Sequence, residues 1–318
     1  MPEQSVIVWD LETVPDLGGF AAANDLVGKP EAEIRAVLGN KFPKHIYHTI
    51  VCIGALVAHR ESDHWAVDAL GAPHVGERTE KQLIASFCDK IAELKPQLVT
   101  FSGNSFDLPV LRYRAMIHGV SAPGLAARLY FNRYTEDAVD LCDILSSFAP
   151  HSKASLNELS KIMGLPGKLE DIDGSEVERY FLEGKIREIA DYCETDVVNT
   201  YRVWLRYELF RGQLSESEHQ ASERNLADFI APRVNRTPRS PEGQRPELQL
   251  RIAQVEDVHR ASARAGGAAS IDTWVAELLD KPENRRAASL YELLLRLNLD
   301  MSHLDEAREA YVRRLGLR

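Results

Sequence analysis

The fold is decided by residues 6–13, which read Val6-Ile7-Val8-Trp9-Asp10-Leu11-Glu12-Thr13. The apolar, β-branched run predicts a buried strand over 6–9. Side chains two apart in a strand share a face, so Asp10 and Glu12 would lie side by side at its end. Adjacent carboxylates repel unless a cation separates them, and oxygen ligands favour Mg²⁺ or Mn²⁺. Taken alone, such a pair is more often a solvated strand end.

A third acidic residue, Asp107, follows a strand predicted over 97–102. It ends the run Asn104-Ser105-Phe106-Asp107, where the chain is expected to turn into a helix over about 108–118. A carboxylate at this turn can bind a metal ion. Taken alone, such a residue more often caps the helix, here with Pro109 in the first turn. This segment therefore leaves both interpretations open.

A fourth acidic residue, Asp196, stands four residues after Tyr192 in a helix predicted over about 186–210, so the two share a face. Both flank an apolar stripe that would pack the helix, formed by Ile189, Cys193, Val197 and Trp204. This position directs them toward the edge of the sheet. A tyrosine beside such a stripe is more often a packing residue than a catalytic one.

In chain order, these three segments resemble the motifs of the DEDD exonucleases in their tyrosine form. Position 191, where the histidine form would carry His, is Asp191. The surrounding residues resemble the three exonuclease motifs of family-B DNA polymerases. The matching runs are Val8-Trp9-Asp10-Leu11-Glu12-Thr13-Val14-Pro15, Asn104-Ser105-Phe106-Asp107-Leu108-Pro109-Val110-Leu111 with Arg114-Ala115, and Tyr192-Cys193-Glu194-Thr195-Asp196.

The segments between these motifs extend the resemblance. They are Lys153-Ala154-Ser155-Leu156-Asn157-Glu158-Leu159, Gly164-Leu165-Pro166-Gly167-Lys168 and Asp173-Gly174-Ser175. Together they resemble a stand-alone prokaryotic family of predicted 3′→5′ exonucleases related to the proofreading domain of family-B polymerases. The resemblance covers about residues 5–215 and leaves the C-terminal third unassigned.

The resemblance implies an α/β, RNase H-like fold, with a mixed β-sheet flanked by helices. It implies phosphodiester hydrolysis with two divalent ions, Mg²⁺ or Mn²⁺, held by Asp10, Glu12, Asp107 and Asp196. Tyr192 would orient the attacking water. The substrate would be a nucleic acid 3′ end, with single-stranded DNA favoured, and the products nucleoside 5′-monophosphates. The alternatives are an exoribonuclease and a catalytically inactive RNase H-like module that binds nucleic acid.

Further residues beside the motifs are candidates for substrate contact, namely Leu11, Thr13, Asn104 and Phe106. Leu11 and Phe106 could wedge or stack near the terminal base, although ordinary core packing explains them as well. A long insert at 15–48 ends in four residues that could approach phosphates or simply form a solvated loop. These are Lys41, Lys44, His45 and His48.

The domain organisation follows from composition. Alternating strand and helix patterns predict one α/β domain over 1–230. Residues 231–246 contain four prolines and are expected to form a linker. Residues 247–318 read as roughly four helices, a small all-α extension of unknown role. That extension could dock a protein partner or mediate self-association.

Charge is distributed unevenly along the 318 residues. The net charge is −10, of which residues 231–318 carry +2 and the preceding 230 residues −12. This argues against a protein that coats nucleic acid electrostatically, but not against an enzyme that holds a strand end. The sequence offers no apolar run of 18 residues, no signal peptide and no CxxC pair. We therefore expect a cytoplasmic protein without a membrane partner, in a setting such as DNA repair.

Overall fold

A five-stranded sheet lies at the centre of the computed structural model, which describes residues 4–39, 41–165 and 174–234. The strands are β1 (Ser5–Pro15), β2 (His48–Arg60), β3 (Trp65–Gly71), β4 (Gln97–Thr100) and β5 (Ala138–Asp140). Their order is β3-β2-β1-β4-β5. β2 pairs antiparallel with β1 and β3, whereas β4 is parallel to β1 and β5. This mixed sheet with flanking helices confirms the RNase H-like α/β fold.

Nine helices accompany the sheet within the described residues. They are α1 (Leu17–Ala23), α2 (Glu31–Leu38), α3 (Glu80–Leu94), α4 (Asp107–Ile117), α5 (Leu141–Leu145), α6 (Leu156–Ile162), α7 (Val177–Leu182), α8 (Ile186–Phe210) and α9 (Glu216–Val234). Short 3-10 turns lie at His45–Tyr47, Pro123–Ala126 and Pro150–Ser152. Residues 4–39, 41–159 and 174–226 belong to one compact unit, which holds the sheet.

The two faces of β1 meet different helices. Ile7, Trp9 and Leu11 pack in a core with α3 and α4, through residues such as Phe87 and Leu111. Because side chains alternate across a strand, Asp10 and Glu12 project from the opposite face. α8 covers that face, where Ile189 and Cys193 pack against β2. The alternation therefore aims the Asp-x-Glu pair at the helix that carries Tyr192 and Asp196.

Close packing of α8 on the sheet depends on Gly54 of β2. A Cβ at this position would lie 2.6 Å from the Sγ of Cys193 and 3.0 Å from a methyl group of Val197. A larger residue would push α8 away from the sheet, because a buried interface has no spare volume. Gly54 is also the register partner of Asp10. The glycine thus sets the distance between the first and third motifs.

The insert after β1 has a small core of its own. Phe20, Ala21 and Ile34 are buried together, and Tyr47 packs against them. Arg114 of α4 anchors the start of the insert through Asp16, with Nη1 2.6 Å from Oδ2. The same guanidinium forms a second, bidentate ion pair with Glu80 of α3. Arg114 is 4% exposed and Glu80 8%, so loss of Arg114 would take this cationic partner from a buried carboxylate.

The structure corrects two details of the first motif. The apolar pattern predicts a strand that stops at Trp9, but β1 continues to Pro15 because its backbone stays paired with β2. Asp10 and Glu12 therefore lie within the strand and not at its end. The register shifts after Glu12, which pairs with Cys52 while Thr13 pairs with Ile50. The extra residue, Val51, forms a bulge that re-aims the end of the strand.

The structure describes only a small part of the predicted linker and none of the predicted C-terminal helical region. α9, which the sequence patterns do not predict, continues to Val234 and so includes residues 231–234 of the expected linker. Residues 235–246 and the predicted helical region at 247–318 lie outside the described residues, so the domain boundary stays a prediction. No helix in 4–39, 41–165 or 174–234 is long and apolar enough to span a membrane.

Candidate active site

The four predicted carboxylates come from three elements. β1 supplies Asp10 and Glu12, α4 supplies Asp107 as its first residue, and α8 supplies Asp196. Asp10 is half-buried, while the other three are buried and at most 9% exposed. Oxygens of Asp10 and Glu12 lie within 4.8 Å of one another and of the Cys193 sulfur. This spacing allows the two carboxylates to share one ion.

The negative charges of the cluster raise one another's pKa. Burial raises the pKa of Glu12 well above its usual range, and the charges of Asp10, Asp196 and Asp107 raise it further. Burial also raises the pKa of Asp107, again with a contribution from Asp10. Carboxylates held together in this way favour a proton or a cation between them. An all-oxygen donor set of this kind suits a hard divalent ion.

Asp107 is positioned by the backbone of β1. Its carboxylate accepts a hydrogen bond from the backbone N–H of Leu11, the residue between Asp10 and Glu12. The side chain does not cap α4, since Phe106 occupies the N-cap position and Asp107 is already helical. The capping role that the sequence left open is therefore not the one observed. The bond to Leu11 ties the second motif to the first.

The loop before Asp107 is held by a carboxylate that the sequence analysis missed. Asp140, at the end of β5, accepts hydrogen bonds from the backbone N–H groups of Ser102 (2.9 Å) and Asn104 (3.0 Å). It also caps α5 through the N–H of Asp143. Asp140 is 1% exposed. The signal available in the sequence was an acidic residue directly after the apolar pair Ala138-Val139.

Tyr192 lies beside Asp196 on the inner face of α8 and is 3% exposed. Burial raises the pKa of Tyr192 above its usual range, and the charges of Asp196, Glu12 and Asp10 act in the same direction. A hydrogen bond to Asp196 also contributes. The phenol therefore stays protonated and donates to the carboxylate. It can orient a neighbouring molecule but is a poor proton acceptor.

The predicted substrate residues occupy different surroundings. Leu11 is 4% exposed and packs in the core with Trp9. Thr13 lies with its hydroxyl oxygen 3.0 Å from Nδ1 of His48. Asn104 is half-buried, and its Nδ2 makes no hydrogen bond to any residue that the structure describes. Phe106 is half-buried, with its ring against the end of the insert.

A cleft of about 400 Å³ opens beside the carboxylates. Its lining includes Asp10 and Asp196, together with residues of the segment that leads into α6, Lys153, Ala154, Ser155 and Leu156. The Lys153 ammonium lies 2.9 Å from Oδ1 of the fully buried Asp143. This segment contributes to the family resemblance, but the sequence alone did not indicate a role for Lys153. The lining of the cleft therefore combines two acids with one lysine, whose ammonium is held by Asp143.

Comparison with known proteins identifies the family. Residues 40–240, more than half of the chain, match the family described as predicted 3′-5′ exonucleases related to the exonuclease domain of PolB. The chain belongs to this exonuclease family. A curated DNA polymerase from Archaeoglobus fulgidus is 23% identical over 140 residues. The alignment covers 39% of this chain but only 17% of the polymerase, so the likeness concerns a small part of that protein.

Membership confirms the predicted resemblance and makes the described unit a PolB-like 3′-5′ exonuclease domain. Exonuclease domains of this kind bind nucleic acid and use divalent metal ions. The match contains Asp107, Tyr192 and Asp196 but begins after Asp10 and Glu12. It is the sheet that places these two residues of β1 in the same acidic cluster.

Proposed function

We propose that this exonuclease family member hydrolyses nucleic acid from the 3′ end, one nucleotide at a time, and that single-stranded DNA is its preferred substrate. The observation that carries the proposal is the convergence of Asp10, Glu12, Asp107 and Asp196 from three separate elements. Burying three acids beside a half-buried fourth is costly, because negative charges held together raise one another's pKa. A structural role alone does not explain such an arrangement.

The donor set fits two divalent cations, Mg²⁺ or Mn²⁺. Asp10, Glu12 and Asp196 would hold one, and Asp10 with Asp107 the other. When bound, such ions supply positive charge to the scissile phosphate and activate water for attack. The soft donor Cys193 lies close to Asp10 and Glu12, and burial raises the pKa of its thiol. The thiol therefore stays protonated and leaves the site to oxygen ligands.

Tyr192 and Lys153 would act on the substrate side. The Tyr192 hydroxyl donates, so it would fix the orientation of a water through hydrogen bonding and not remove its proton. Lys153 lines the same cleft as Asp10 and Asp196, and its positive charge would attract the phosphate. Asp143 holds this ammonium, so Lys153 would be positioned before substrate arrives.

Two alternatives predict different behaviour. A catalytically inactive module would bind nucleic acid without needing four converging acids, and the intact cluster argues against it. An exoribonuclease would use the same carboxylates, since the choice of sugar depends on contacts to the 2′ position. The sequence and geometry favour hydrolysis over an inactive binding module. A comparison of the rates on DNA and RNA strands distinguishes a deoxyribonuclease from an exoribonuclease.

The proposal is tested with 5′-labelled single strands of DNA and RNA of the same sequence. We expect a ladder of shortened, 5′-labelled DNA products with Mg²⁺ or Mn²⁺, nucleoside 5′-monophosphates as the released product, and slower loss of RNA. A strand blocked by a 3′-phosphate serves as the control for direction. Immediate release of the 5′ label, or internal cuts, would contradict 3′→5′ polarity.

A further inference from the structure

The hairpin that joins β2 to β3 gathers imidazoles and carboxylates far from the acidic cluster. His59 and Glu61 stand two residues apart at the end of β2, so their side chains share a face. The N–H of Glu61 donates to the carbonyl oxygen of His64 over 2.9 Å, which closes the turn. Asp10 pairs with Gly54, so the hairpin lies about 16 Å along the strand from the first motif. We call these residues and their carboxylate partners the hairpin cluster, namely His59, Glu61, Asp63, His64 and Asp68.

Two imidazole nitrogens of the hairpin cluster face the carboxylate of Glu61. Nε2 of His59 lies 3.5 Å from Oε1, and Nε2 of His64 lies 4.0 Å from Oε2. These separations are longer than an ordinary hydrogen bond. Tetrahedral ligands at about 2.0–2.2 Å from a zinc ion stand roughly 3.3–3.6 Å apart. Small side-chain movements would therefore close the three groups around an ion.

The opposite nitrogen of each ring is held by a second carboxylate. Nδ1 of His59 lies 2.9 and 3.0 Å from the two oxygens of Asp68. Nδ1 of His64 lies 2.8 Å from Asp63. An ionised carboxylate only accepts hydrogen bonds, so each Nδ1 carries a proton and Nε2 of the neutral ring offers its lone pair. Metal-binding histidines are oriented by carboxylates in this way.

α9 supports the same assignment for His64. Oδ1 of Asn225 accepts the N–H of Val67 over 2.9 Å, so the amide turns its Nδ2 toward His64. Nδ2 lies 3.5 Å from Nε2 of that ring. Because an amide NH₂ group only donates, Nε2 is the acceptor in this contact. The contact is long and therefore weak, so an ion between His64 and Glu61 could replace it.

The pairing of His59 with Asp68 occurs at a β-bulge. The register of β2 with β3 shifts between Val57 and Ala58, and the residue left over on β3 is Asp68. A bulge interrupts the hydrogen-bond ladder and re-aims a side chain. The sheet thus gives up regular pairing at the residue that orients His59.

We propose that the hairpin cluster binds a divalent transition-metal ion of the zinc type through Nε2 of His59, Nε2 of His64 and the carboxylate of Glu61. Asp68 and Asp63 would hold the two rings, and water would complete a four-coordinate site. Imidazole ligands favour zinc and its neighbours, whereas Mg²⁺ prefers oxygen ligands. The site would therefore select a different ion from the four carboxylates of the proposed active site.

An ion at this place would reinforce the attachment of the hairpin to α9. The N–H of Trp65 donates to Oγ of Ser222 over 3.0 Å, and Arg60 forms an ion pair with Glu218. The ligands stand together only in the folded hairpin. Binding would therefore stabilise the native protein by mass action, without any part in hydrolysis.

Calorimetric titration with Zn²⁺ in excess Mg²⁺ tests the site, because Mg²⁺ occupies oxygen ligands and competes poorly for imidazole. We expect Asp68→Ala to weaken Zn²⁺ binding by about 10- to 100-fold. His59→Ala and His64→Ala should each remove one Zn²⁺ per chain. His151→Ala, which alters another exposed histidine, is the matched control and should bind as the unaltered protein does. Unchanged binding in both His59→Ala and His64→Ala would overturn the proposal.

Thermal unfolding gives an independent measure of the same site. Zn²⁺ at about 100 times its Kd should raise the thermal midpoint of the unaltered protein by about 5–10 °C. His151→Ala should show the same rise, and His59→Ala should lose most of it. Equal rises in all three proteins would place the stabilising ion elsewhere and contradict the proposal.

Long-range ¹H–¹⁵N spectra of the unaltered protein test the ring assignment without any substitution. Both His59 and His64 should show the tautomer protonated at Nδ1 when metal is removed. Added Zn²⁺ should shift the Nε2 resonances of these two rings, while His151 stays unchanged. Nε2 resonances of His59 and His64 that do not respond to Zn²⁺ would show that the hairpin cluster is only a hydrogen-bonded network. None of these measurements depends on nuclease activity.

Discussion

The backbone N–H of Leu11 donates a hydrogen bond to the carboxylate of Asp107, which joins the first acidic motif to the second. Leu11 stands between Asp10 and Glu12, so the bond holds a third acid against the first two. The side chain of Leu11 meanwhile packs in the core. One residue thus fixes the cluster through its backbone and the strand through its side chain.

Asp107→Asn should stabilise the metal-free protein at pH 8. Burial and the Asp10 charge raise the pKa of Asp107, so the native state holds a proton that the unfolded state has released. Stability from this group is present below pH about 4 and is lost as pH rises through the native pKa. Asparagine keeps the acceptor for Leu11 without that loss.

The measurement is the thermal midpoint between pH 5 and 8 in EDTA, where 1 kcal/mol corresponds to about 2–4 °C for a domain of this size. Asp89→Asn, on the exposed face of α3, is the control and should not respond. Added Mg²⁺ should then stabilise the unaltered protein more than Asp107→Asn, by mass action. A midpoint for Asp107→Asn that falls in EDTA would contradict the proposed repulsion.

Tyr192→Phe should lower turnover by about 10- to 1000-fold and leave substrate affinity nearly unchanged. The substitution keeps the ring and its packing but removes the hydroxyl that donates to Asp196. Tyr201→Phe is a matched control, because Tyr201 is fully buried on the same helix. Equal rates for the two variants would show that Tyr192 is only a packing residue.

Removal of metal should weaken substrate binding as well as stop hydrolysis. The first 230 residues carry −12, and the four acids of the cluster would repel an incoming phosphate. Divalent ions reverse the local sign of charge. Ca²⁺ should partly restore binding without efficient cleavage, since its coordination shell is larger and looser than that of Mg²⁺.

Fluorescence anisotropy of a 3′-labelled strand measures this effect in EDTA, Ca²⁺ and Mg²⁺, with an uncleavable linkage in the Mg²⁺ sample. We expect the weakest binding in EDTA. Equal affinity in all three conditions would place the binding determinants elsewhere, such as Lys41 and Lys44.

A chain that ends at Arg233 should stay folded and cleave short single strands. All five strands and every proposed site residue precede Leu226, within one compact unit. Far-UV circular dichroism and the nuclease assay test this prediction. An insoluble or unfolded product would mean that residues beyond 233 complete the same core.

Much of the fold could be predicted from the sequence, because the local hydrophobic patterns of α8 and β1 agree with the tertiary packing of these elements. The apolar stripe of Ile189, Cys193 and Val197 predicts α8 with its correct ends, and the alternation in β1 predicts a shared face for Asp10 and Glu12. The end of β1 could not be predicted in this way. The strand continues past two acids because β2 pairs with it, and such pairing is not encoded in β1 alone.

The candidate active site was likewise predicted only in part. Acids at motif spacing mark the cluster, but the support given by Asp140 and the placement of Lys153 depend on contacts between distant segments. The contact between the rings of Phe42 and Phe106 is a further example of a feature that the sequence did not predict. Phe42 and Phe106 are 64 positions apart, and only the folded insert brings their rings together. A hydrophobic or motif pattern describes one element at a time, so it carries no information about contacts between distant segments.

The role of the four converging carboxylates in 3′→5′ hydrolysis is tested with Asp196→Asn and a 5′-labelled single DNA strand in Mg²⁺. Asp191→Asn is the matched control, an exposed acid on the same helix. We predict a product ladder from the unaltered protein and from Asp191→Asn. Asp196→Asn should remain folded yet lose at least about 100-fold in rate. A ladder of normal intensity from folded Asp196→Asn would contradict this role.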